Sequence, residues 1–95
     1  MITFEEARQL VQHSLRGSWS PKLGTLVTLP SGFEESTHWR VIAGAREALV
    51  DGDRDFDLMD APAFLVSKTT GAVERLVVID NLDRLDSMTP VDVSR

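Results

Sequence analysis

Only two histidines, His13 and His38, stand in this 95-residue chain, and there is no cysteine and no tyrosine. That inventory bounds the chemistry. General acid–base or nucleophilic catalysis draws mostly on His, Cys, Tyr, Lys and paired carboxylates held close together. No Gly-x-Ser-x-Gly elbow is present, and the glycines are scattered singly, so neither a hydrolase nucleophile nor a phosphate-cradling loop is expected. A catalytic zinc site usually takes three protein ligands, and no His-x-x-x-His pair exists to begin one. Both histidines are expected at the surface, and no catalytic residue is assigned. The chain reads as a non-enzyme.

One segment invites a metal reading: Asp51, Asp53, Asp55 and Asp57 alternate through a polar stretch. A calcium loop of the EF-hand type needs glycine at its sixth position and a bidentate glutamate at its twelfth. Counting from Asp51 places Phe56 and Pro62 there, and counting from Asp53 places Leu58 and Phe64. Neither register closes a cage. No metal and no cofactor is expected, and the stretch reads as a solvated acidic loop.

Acids matter to the chain in another way. Fifteen Asp and Glu against ten Lys and Arg give a formal charge of −5, which argues against nucleic acid, reads first as a solubilising surface and is compatible with a basic partner. The excess concentrates between Glu34 and Asp60. Eight acids there (Glu34, Glu35, Glu47, Asp51, Asp53, Asp55, Asp57 and Asp60) face three arginines, Arg40, Arg46 and Arg54. Glu34, Glu35, Asp51, Asp53, Asp55 and Asp57 are therefore candidate partner-binding residues, provided the fold brings them to one side. Trp19 and Phe33 join them as candidates. Both fall in expected loops, where aromatic area either folds back as a lid or serves an interface.

The elements that must position these residues follow from the hydrophobic pattern. Thr3-Phe4-Glu5-Glu6 has the form of a capping box, and Phe4, Ala7, Leu10, Val11 and Leu15 share one helical face. Gly17 is expected to end that helix in the left-handed conformation. From Leu23 to Leu29 the period is two, and Pro30-Ser31-Gly32 is expected to end this first strand. Thr37 to Ala43 alternates again and presents Trp39 to one face of the sheet. Ala45–Leu49 reads as a continuation of that strand or as one helical turn, the strand being preferred, and Asp51–Asp60 reads as a loop.

Ala63–Lys68 forms a third strand, with Pro62 at its start, where a missing donor costs least. A tight connection closed by Gly71 at positive φ leads to a fourth strand, Val73–Ile79. Its apolar run Leu76-Val77-Val78-Ile79 suggests an interior position. Asp80 or Asn81 caps a short final helix carrying Leu82, Leu85 and Met88, Thr89-Pro90 ends it, and the last residues are expected to be loose. The expected fold is a single α+β domain over residues 1–95. Its N-terminal helix packs on a four-stranded, mainly antiparallel sheet in two layers, with a short C-terminal helix.

The order of these features resembles the immunity protein 35 family, also called YrhB-like domains. The resemblance runs through Ile2-Thr3-Phe4-Glu5-Glu6-Ala7, Trp39, Gly52-Asp53, Pro62, Val66 and Thr70-Gly71. It implies a small protein of bacterial polymorphic-toxin loci that binds and neutralises a cognate toxin, with no catalytic residues to transfer. The chain departs from the commoner pattern in Arg40-Val41-Ile42-Ala43-Gly44, where an aromatic-rich segment often follows the tryptophan, and in its Asp-rich loop. A small chaperone or stress-related accessory protein and a small-ligand-binding domain are the alternatives. With no cysteine, no basic-then-apolar leader at Met1–Glu6 and no membrane-length apolar run, a cytoplasmic setting is expected.

Overall fold

The computed structural model describes residues 1–56 and 62–93. Helix α1 spans Phe4–Arg16, and the capping box is made as read: Glu6 N–H donates to Thr3 Oγ1 at 3.1 Å while Thr3 N–H donates to Glu6 Oε1 at 3.0 Å. Gly17 ends it in the right-handed region at φ −69°, not the left-handed one. Its N–H still bonds Leu15, so the last turn simply tightens without a reversal of hand.

Among the described residues, five strands form one antiparallel sheet in the order β4-β3-β2-β1-β5. They are β1 Leu26–Glu34, β2 His38–Ala45, β3 Ala63–Ser67, β4 Val73–Leu76 and β5 Thr89–Asp92. Between β2 and β3, Arg46–Leu49 makes one turn of helix, α2, so of the two readings open for this segment the helical turn holds and the preferred strand does not. Arg46 N–H bonds the Thr25 carbonyl at 2.8 Å and Val50 N–H bonds back to Arg46 at 2.8 Å, which curls the chain off the sheet. Between β4 and β5 a short 3₁₀ turn, Val78–Asn81, runs into helix α3, Leu82–Asp86.

Three further expectations change. Strand β1 does not stop at Pro30-Ser31-Gly32 but runs through it, with a register irregularity between Thr28 and Gly32. An irregular stretch accommodates Pro30, and β5 pairs with Ser31–Glu34 on the outer side. Phe33 is consequently a strand residue, not a loop residue. Thr89-Pro90, expected to end the last helix, and the first of the residues expected to be loose after it form β5, the fifth strand. Strand β4, read as interior, is the sheet's edge.

Side-chain alternation divides the sheet into two faces. On one, Phe4, Ala7, Val11 and Leu15 of α1 bury Val41, Phe64 and Val66, with Trp39, Val73 and Val91 packed alongside. On the other, Leu85 and Met88 close over Ala63 and Leu65, flanked by Phe33 and Leu76. The third strand carries both cores, which is why Ala63–Val66 is apolar at four successive positions. Trp39 meets α1 as expected: its ring stands edge-on to Phe4 at 5.6 Å, and its Nε1 donates to the Ile2 carbonyl at 3.1 Å.

Candidate protein-binding site

The sheet separates the acids that are close in sequence. Glu34 and Glu35 lie at the β1–β2 hairpin, whereas Asp51, Asp53 and Asp55 follow the far end of β2. That strand has eight residues, so roughly 23 Å lies between the two groups. They do not converge. Asp57 lies outside the described residues.

At the hairpin end the acids are engaged internally. Glu34 Oε2 accepts from Lys68 Nζ at 2.9 Å. Glu35 accepts both Nε (3.0 Å) and Nη2 (2.9 Å) of Arg84, clasping α3 to the hairpin, and the Thr37 hydroxyl donates to it at 3.1 Å. His38 Nδ1 is 2.7 Å from Thr37 Oγ1, and the ring is half-buried in this cluster instead of standing on the surface. The Arg84 hydrogen bonds hold the Glu35 carboxyl below its ordinary value, with burial opposing and Thr37 assisting. The Arg84 guanidinium is raised in turn by the same bond. A carboxylate so held is a weak proton acceptor, and the cluster works as a fastener.

The two aromatic candidates also turn inward. Trp19 folds back beside the end of α1, its Nε1 donating to the Gly24 carbonyl at 2.8 Å. It forms one wall of a mostly apolar groove of about 280 Å³ with Leu15, Leu23, Ala43, Pro62 and Phe64, and with Arg75 at its rim. Phe33 lies half-buried in the smaller core, with the Arg40 guanidinium 5.3 Å above its ring.

The opposite end of the sheet is different. Asp51, Asp53 and Asp55 are exposed, and Asp53 Oδ1 accepts the Asp55 amide at 3.0 Å. Glu47 braces the approach to this loop: both its oxygens accept the Thr25 amide, at 3.0 and 2.9 Å, and that bond lowers its pKa. Among the described residues no group of three or more His, Asp or Glu is placed to hold a metal ion.

Strands β2 and β4 run in the same direction, since each is antiparallel to β3. Their outgoing segments therefore leave the same end of the sheet. The segment leaving β4 exposes Val77 at 59%, Ile79 at 77% and, one turn on, Leu82 at 47%, with Asp80 exposed between them and Asp83 exposed just after. Apolar side chains held this far into water, interleaved with acids, have the make-up of an interface centre and rim.

No family model, curated protein or solved structure matches the chain. The apolar group was missed in the sequence because Leu76-Val77-Val78-Ile79 has the composition of a buried strand. The legible signal was the Asp80-Asn81 pair immediately after it, which curls the chain before the run can enter the sheet: Asn81 Nδ2 and Asp80 N–H both bond the Val77 carbonyl.

Proposed function

We propose that this protein is a binding domain that neutralises a cognate bacterial toxin, an immunity protein acting by occlusion and not by catalysis. One observation carries the reading: the exposed group Val77, Ile79 and Leu82 shares its end of the sheet with exposed Asp51, Asp53, Asp55, Asp80 and Asp83. Burying the apolar side chains supplies affinity. The acids steer a basic partner toward them and reject acidic ones. The resemblance described above supplies the biological context, and a cytoplasmic setting fits a protein that must meet its toxin inside the producing cell.

The test is co-expression with the product of the adjacent gene. Restored growth, together with a direct complex whose association slows in salt, supports the reading. A solitary gene, or an adjacent product that neither harms the cell nor binds, overturns it. The same exposed apolar group favours one second reading, a small accessory chaperone. That protein would suppress aggregation of unrelated unfolded clients, whereas an immunity protein would leave them unprotected.

A further inference from the structure

The two edges of the sheet differ in a way that selects a partner. Hydrogen-bonded and non-bonded pairs alternate along an antiparallel ladder. Ser67 N–H bonds the Ala72 carbonyl, so with the observed register the bonded pairs are Ser67/Ala72, Leu65/Glu74 and Ala63/Leu76. The amides and carbonyls of Val73 and Arg75 therefore point away from β3, into the space beyond the sheet. At the other edge, Val93 N–H bonds the Pro30 carbonyl, which turns Thr89 and Val91 inward and leaves Pro90 at an outward position. Proline has no N–H, so that edge is blunted. The β4 edge keeps its donors.

We propose that β4 receives an extended strand of the partner protein, one that alternates basic and apolar residues; this rests on the protein-binding reading above. Glu74 projects to the face shared with Leu65, and Val73 projects to the opposite face, shared with Val66. An added strand would set its basic residues beside Glu74 and its apolar ones beside Val73, on the face where the Arg75 guanidinium lies over the Phe64 ring. Asp80 and Asp83 lie just past the end of β4, where further basic residues would find them. A second copy of this chain is a poor occupant. Two-fold pairing of β4 with itself that engages three of its four residues, in a register that lets outward groups meet, centres on Glu74 or on Arg75. Like charges then stand directly opposite, which destabilises the pair.

The experiment uses the full chain, ¹⁵N-labelled, titrated with a capped octapeptide of alternating Lys and Val, and with a Glu–Val counterpart. With the basic peptide, amide exchange at Val73 and Arg75 should slow by about tenfold or more, and the acidic peptide should leave both unchanged. Arg75→Pro removes an outward donor without touching a bond to β3 and should weaken the basic peptide by about tenfold. Should that variant fail to fold, Glu74→Lys is the replacement, and it should reverse the preference between the peptides. Unprotected Val73 and Arg75 amides, equal binding of both peptides, or protection that grows with protein concentration and no peptide would each overturn the proposal. Neutralisation of the adjacent gene's product with those amides still exchanging would retire the added strand and keep the immunity reading. Peptide protection without neutralisation would do the reverse.

Discussion

Lys68 Nζ lies 4.4 Å from the centre of the Trp39 ring and 2.9 Å from Glu34 Oε2, so one ammonium serves a ring face and a carboxylate together. Lys68 is nearly buried at 9% exposure, and Ile2 N–H bonds its carbonyl at 2.9 Å. The N-terminus, the first hairpin and the β3–β4 turn meet at this point.

Lys68→Met keeps the stem over the ring but removes the charge, and should cost about 1 kcal/mol. Trp39→Ala also removes the Phe4 contact and the bond to Ile2, and should cost about 3 kcal/mol. Urea unfolding measures both. Equal losses in the two variants would mean that the charge, not the ring, holds this corner.

Gly32 and Gly71 are required for different reasons. A Cβ at Gly32 would come within 2.7 Å of Phe4 Cζ and would also run into the Arg40 carbonyl. Gly32→Ala should therefore cost about 1–3 kcal/mol through overpacking between α1 and β1. Gly71 has φ +75°, as the hairpin reading expects, and a β-branched side chain is disfavoured there. Gly71→Val should lower Tm by about 4–8 °C for each kcal/mol lost. An unchanged Tm in either variant would contradict the geometry.

Acid should loosen the α3 clasp. The Glu35 carboxyl is held below its ordinary value in the folded state, so the unfolded chain binds more protons as pH falls. Its contribution is fully present above the unfolded carboxylate's pKa and is lost as pH drops through the folded one. Glu35→Gln should flatten that acid limb in a series of melts. A variant whose melts track the parent at every pH would show that Arg84 is not held by this charge.

Replacing Asp51, Asp53, Asp55 and Asp57 together by Asn should leave the fold intact and slow association with a basic partner. The difference should shrink as salt shortens the Debye length below about 8–10 Å. Adding calcium or a chelator should leave Tm unchanged in parent and variant alike. Stopped-flow association at two ionic strengths and a thermal melt check the two halves.

Much of the fold was legible where local chemistry and tertiary packing agree. Thr3 and Glu6 announce α1 with their own hydrogen bonds, Gly71 announces its turn, and Trp39 finds the helix stripe by simple alternation. Legibility failed where a distant strand overrode a local signal. Pro30-Ser31-Gly32 has the composition of a turn, yet β5, some sixty residues later, pairs with Ser31 and Gly32 and keeps the strand going. Among the site residues, Glu34 and Glu35 read as exposed acids because their partners, Lys68 and Arg84, lie 34 and 49 residues away. Val77 and Ile79 are exposed because the chain curls at Asp80-Asn81, a local signal outweighed in the sequence by the strand-like composition of Leu76-Val77-Val78-Ile79.

Strand β5 also sets a timetable. β1 to β4 form a run of neighbours in sequence, but the outer edge of β1 has no partner until residues 89–92 have been made and carried across the sheet by α3. Through most of synthesis, then, the young chain shows two sticky borders, and closure of the first must wait for the last strand. Such a late, long-range pairing is slow to form. A nascent chain stalled before residue 89 would carry the aggregation risk that the finished sheet keeps only at β4.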